Sequence, residues 1–64
     1  MSDFKTRLLD EKQQLDEKIE KLTSFLGSDA VGAVDGVQLT LLNVQVKAME
    51  TYSQILLERI VRLT

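Results

Sequence analysis

Val37 to Leu63 reads VQLTLLNVQVKAMETYSQILLERIVRL, with no Pro or Gly to interrupt it. One ladder at seven-residue spacing is Leu42, Met49, Leu56 and Leu63, and beside it runs a row of Leu41, Ala48 and Ile55. Val46 and Ile60 lie on the other flank, with Val44, Leu57 and Val61 further round. A helix apolar over well more than a third of its circumference needs neighbours on two sides. The rest of the chain offers one other helix. The excess apolar surface therefore predicts self-association, with Leu41, Val44, Ala48, Ile55, Leu57 and Val61 as the oligomer interface.

Upstream, Phe4, Leu8, Leu15, Ile19, Leu22 and Leu26 recur near a 3.5-residue period, and the positions between them are mostly Asp, Glu, Lys and Gln. That pattern predicts an amphipathic outer helix with one narrow apolar stripe. Ser2 is placed to cap its start and Asp3 complements the dipole. Glu17 and Lys21 stand at i,i+4 in the favourable order. Gly27 provides a stop, through the left-handed conformation that often ends helices. Asp35, three positions before Gln38, resembles a capping box opening the second helix. The expected organisation is one domain over 1–64: helix one at about 3–26, a turn at about 27–35, and helix two at about 36–63. Ala30, Val31, Ala33 and Val34 make the turn too apolar for pure solvation, with room for a short helical turn.

Similar helix lengths and a short connection favour an antiparallel αα-hairpin. Folding about residue 31 sets Leu22 against Leu41 and Leu42, Leu15 against Val46 and Met49, Leu8 against Ile55 and Leu56, and Phe4 against Ile60. One layer breaks this ladder. Glu11 and Lys12 stand where an apolar residue would continue the first seam, opposite Glu50, Tyr52 and Ser53. The simplest arrangement has Glu11 and Lys12 reaching outward while Tyr52 fills the gap. The alternative is a polar layer that holds a ligand or fixes register. The predicted class is all-α: an antiparallel two-helix hairpin assembling into a homo-oligomeric helical bundle.

At 64 residues, such a chain buries only about 60% of the surface it exposes when unfolded, and small domains need outside support. There is no Cys and no His, so disulfides are excluded and the usual zinc and copper ligands are missing. No nucleophile–base pair stands out either. The expectation is a protein with no cofactor, no metal and no enzymatic activity, supported by oligomerisation. Eight basic and ten acidic residues give a formal charge of −2, which argues against nucleic-acid coating. The N-terminus has no apolar signal core, and Lys47, Glu50 and Glu58 interrupt the second helix before it reaches a membrane span. A cytoplasmic protein is expected.

At the hairpin's open end, Lys5 and Arg7 enter on helix one while Arg59 and Arg62 leave on helix two. The bland reading is solubilising charge and dipole complementation, with Glu58 pairing to Arg62 at i,i+4. The sharper reading is an anion site, with Arg forks for phosphate oxygens and Tyr52 to stack on a base. Lys5, Arg7, Tyr52, Arg59 and Arg62 are thus the candidate ligand-binding residues. Phe4 and Phe25 are most simply core or interface.

Two segments carry a resemblance. Arg7-Leu8, Glu11-Lys12, Leu15, Lys18-Ile19 and Lys21-Leu22, followed by Gln45, Ala48-Met49, Tyr52, Ile55-Leu56 and Arg59-Ile60, resemble a family of very small helical-hairpin proteins of tailed phages, including crAss-like phages. The similarity covers nearly the whole chain, and Met49 to Tyr52 with Arg59 is its less generic part. It implies an accessory protein in the host bacterial cytoplasm that counters bacterial defence. One way to do so is to sequester a cyclic nucleotide messenger of the CBASS or Thoeris type. The alternative is a protein-interaction module, with the second apolar face of helix two covering a host defence protein or a viral protein.

Overall fold

The computed structural model describes residues 2–63. Two long helices, α1 (Ser2–Leu26) and α2 (Gly36–Arg62), flank a 3₁₀ turn, η1 (Asp29–Ala33). There is no strand among the described residues. Leu8 packs with Leu56 and Ile60, and Leu15 packs against that cluster. Early positions thus meet late ones, and the chain is an antiparallel helical hairpin about 47 Å long and 14 Å wide.

The seam is built from two heptad ladders. On α2 the buried or half-buried positions are Leu39, Leu42, Val46, Met49, Ser53, Leu56 and Ile60. On α1 they include Lys5, Leu8, Lys12, Leu15, Ile19, Leu22 and Leu26. Both alternate three- and four-residue steps, the spacing that keeps one helical stripe facing a partner. The fully enclosed part is small: Leu56 is 0% exposed, and Leu8, Val46 and Ile60 are the only other buried apolar residues among those described. Each contributes about 1.5–3 kcal/mol of burial, so the hairpin has little reserve against the entropy of ordering its chain.

The rungs differ in part from the simple fold-back. Leu8 does meet Leu56, but Ile60 also joins Leu8, a helical turn along from the expected Phe4. Phe4 is 52% exposed and Ile55 points away from the seam. A pattern of leucines seven apart tolerates such slips, because neighbouring rungs offer the same chemistry.

Local side-chain chemistry sets the ends. The Asp35 carboxylate accepts from the backbone N–H groups of Val37 (3.1 Å) and Gln38 (3.3 Å), capping α2. Gly27 does not adopt a left-handed conformation; no described residue has positive φ. Its N–H still bonds to Thr23 at helical spacing. The turn is made one residue later, by Ser28. That hydroxyl donates to the Phe25 carbonyl at 2.7 Å and accepts from the Ala30 N–H at 3.3 Å. Ser28 thereby ties the Phe25 carbonyl of α1, which also accepts from the Ser28 N–H at 3.0 Å, to an orphan N–H of η1. The helix already includes Ser2, and its side chain, with the capping role expected of it, lies outside the described residues.

Candidate functional site

The break in the seam is a polar layer. Lys12 turns inward, its Nζ 2.7 Å from Asp16 Oδ2 and 3.1 Å from Ser53 Oγ. The Ser53 hydroxyl in turn donates to Asp16 Oδ1. Ser53 is buried, while the Lys12 and Asp16 side chains remain 24% and 45% exposed. Lys12 therefore does not reach outward, and Tyr52 does not fill the gap, being 41% exposed on α2. The reason is geometric. Ser53 continues the four-residue step from Met49, whereas Tyr52 sits about 100° away round the helix. Hydrogen bonds from Lys12 and Ser53 hold the Asp16 carboxyl below its ordinary value of 3.8, against a smaller desolvation in the other direction.

On the outer surface, Gln54, Ile55, Glu58, Arg59 and Arg62 line a half-open groove of about 260 Å³. Arg59 and Arg62 are both exposed and neither enters an ion pair among the described residues. The Glu58–Arg62 pair is absent there, Glu58 accepting instead from Gln54 Nε2 at 3.3 Å. Glu17 and Lys21 do not pair either; the two ion pairs among the described residues are Lys12–Asp16 and Lys47–Glu50. The guanidiniums are one turn apart on one helix, a fork suited to phosphate or carboxylate oxygens.

Of the expected ligand residues, the groove brings together Arg59 and Arg62 only. Tyr52 precedes Arg59 by seven positions on the same face of α2, about 10 Å away. Lys5 is half-buried in the seam and Arg7 is exposed on α1; neither lines the groove. Gln54 and Glu58 were missed. Their signal was available in the spacing: Glu58 is four positions before Arg62 and Gln54 four before Glu58, one row of α2 beside the arginines.

The residues expected at the oligomer interface divide. Leu41, Val44, Ala48 and Ile55 are exposed and share one stripe of α2, which Val37 extends toward the turn. At 100° per residue this stripe lies about 140° from the intramolecular seam. Leu57 and Val61 are exposed too, but fall about half a turn away, beyond the seam's far edge.

A family model described as Sequestin matches residues 2–62. The chain belongs to the Sequestin family. No curated protein and no solved structure matches it. Its family name fits a protein that binds and holds a partner, in keeping with the sequestering role that the sequence resemblance implies. No helix among the described residues is long and apolar enough to cross a membrane.

Proposed function

We propose that this Sequestin-family chain is a non-enzymatic phage accessory protein. As a homo-oligomer in the host bacterial cytoplasm, it sequesters a cyclic nucleotide messenger of a CBASS- or Thoeris-type defence system. The observation that carries this reading is the pair Arg59 and Arg62, in no ion pair among the described residues and one turn apart on an open groove. Two such guanidiniums supply charge-assisted, directional hydrogen bonds to phosphate oxygens. Tyr52, on the same face, supplies a ring on which a base can stack. Lys5 and Arg7 add positive potential at the hairpin's open end. Absence of Cys and His removes the thiol nucleophile and the side chain most often used to move protons, so retention of a ligand suits this chain better than its turnover.

Titration calorimetry against cyclic dinucleotides, cyclic trinucleotides and cyclic ADP-ribose isomers tests the proposal. One member of the panel should bind, and Arg62→Ala should weaken it about 10- to 100-fold, the loss of one charge-assisted contact. No binding by a folded protein across the panel would sink the reading.

A second reading rests on the exposed stripe of Leu41, Val44 and Ile55. Surfaces of this kind also seat partner proteins, which would make the chain an interaction module for a host defence protein. In that case the protein without its partner would associate weakly or aggregate.

A further inference from the structure

Among the described residues, one helix alone lines the groove. All five lining residues, Gln54 to Arg62, belong to α2, and about 260 Å³ falls short of the roughly 300–1,000 Å³ usual for small-molecule sites. A cleft needs a second wall, and α1 packs on the far side of α2. The folded chain also exposes too much surface. Its accessible area is 4901 Å², whereas a monomer of 7.2 kDa is expected to expose about 4,100 Å². The surplus of about 800 Å² matches what one partner contributes to a standard protein–protein interface.

We infer that a second copy of this chain packs antiparallel along the outer stripe of α2, and that its turn end forms the missing wall of the groove. The inference rests on the homo-oligomer in the proposed function and adds its seam, direction and register.

The stripe repeats the spacing of the intramolecular seam. Val37, Leu41, Val44, Ala48, Thr51 and Ile55 alternate steps of four and three, and Arg59 and Arg62 continue the same line. A heptad stripe is completed by another heptad stripe. In the antiparallel register that covers it best, Val44 lies opposite the partner's Ala48, Leu41 opposite the partner's Thr51, and Ile55 opposite the partner's Val37. Slipping one heptad toward the C-terminus would set Leu41 against the partner's Glu58 and Val37 against the partner's Arg62. That slip desolvates charges against apolar side chains.

Charge selects the direction. The segment from Gly27 to Gly36 contains Asp29 and Asp35 and no Lys or Arg, whereas the other end of the stripe carries Arg59 and Arg62. An in-register parallel pair would crowd four arginines at one end and four aspartates at the other. The antiparallel pair sets each basic end beside the partner's acidic turn, a complementary arrangement of potential. It also places the partner's Val37 across from Ile55, so the second copy contributes a residue to the groove. The assembled dimer has two grooves, one at each end.

The chain has no Cys, so introduced thiols report without background. Val44→Cys and Ala48→Cys are each made at an exposed position, checked for wild-type helicity, mixed, allowed to exchange subunits, and joined with a short bis-maleimide cross-linker. The expected product is the mixed pair, in several-fold excess over either self-pair by mass spectrometry. Dominant self-pairs would mean a parallel seam and overturn the inference. If the wild type is an oligomer in native mass spectrometry but the mixed variants give no bridged product, the oligomer uses another face; the inference then falls while the homo-oligomer survives. A wild-type monomer would remove both, leaving the stripe to a different protein.

Discussion

Replacing Ser53 with Ala isolates what the polar layer does. The hydroxyl bridges two elements: it accepts from Lys12 Nζ at 3.1 Å and donates to Asp16 Oδ1. It is the only buried member of the trio, Lys12 and Asp16 keeping 24% and 45% of their side-chain surface in solvent. Hydrogen bonds to charged groups contribute about 1.5–3 kcal/mol when the partner would otherwise be left dry. Here water can re-solvate both partners, and their own 2.7 Å ion pair survives the substitution, so the expected loss is about 1 kcal/mol. A chain of this size has a urea m-value near 1 kcal/mol/M, so the unfolding midpoint should fall by about 1 M with m unchanged. Both proteins should be compared at one concentration, because assembly makes the midpoint concentration-dependent.

The same network governs acid sensitivity. Asp16 titrates lower in the folded chain than its ordinary 3.8, through the hydrogen bonds from Lys12 and Ser53. A carboxyl depressed by folding contributes stability that is fully present above the unfolded pKa and is lost as pH falls through the folded one. Wild type should therefore lose stability on acidification below about pH 4, and Ser53→Ala should show a shallower loss over that range. An unchanged midpoint together with an unchanged acid profile would refute the argument. The layer would then be packing filler.

Other substitutions test separate links. Leu56→Ala empties a side chain with 0% exposure and should cost about 2–5 kcal/mol, enough to abolish cooperative melting in calorimetry. Asp35→Ala removes the α2 cap and should lower stability by about 1 kcal/mol, read from a thermal melt by circular dichroism. Gly27→Ala should raise the melting temperature, adding about 0.4–1 kcal/mol. Gly27 has no positive φ, and a Cβ there would meet only the Thr23 and Ser24 carbonyl oxygens at ordinary contact distances of 3.7 and 3.8 Å. A fall in melting temperature would show that the turn needs glycine after all.

Much of the architecture is legible in the residues because helices announce themselves by period. The run from Val37 to Leu63 and the leucines at 8, 15 and 22 specify two amphipathic helices, and Asp35 marks where the second begins. The surplus stripe of Leu41, Val44, Ala48 and Ile55 is equally plain, since an apolar row at helical spacing is visible without knowing what covers it. Pairing between the helices is less legible. Repeated leucines make adjacent registers nearly equal, so the extra contact of Leu8 with Ile60 and the outward turn of Ile55 depend on how two complete helices settle together.

Polar groups were decided by tertiary structure almost throughout. Lys12 can reach solvent or the seam with the same side chain; only Ser53, across the seam on α2, and Asp16, one turn along α1, give its ammonium an inward destination. Ser28 ends one helix and opens the next because two backbone groups from different elements fall within reach of one hydroxyl. Arg59 and Arg62 were visible as a basic end, but that they face an open groove while Lys5 joins the seam follows from helix rotation, which no single helix sets by itself. Apolar periodicity acts locally and can be read from one strand of text. Hydrogen bonds between side chains far apart in sequence require both partners in place, and those only the folded hairpin brings together.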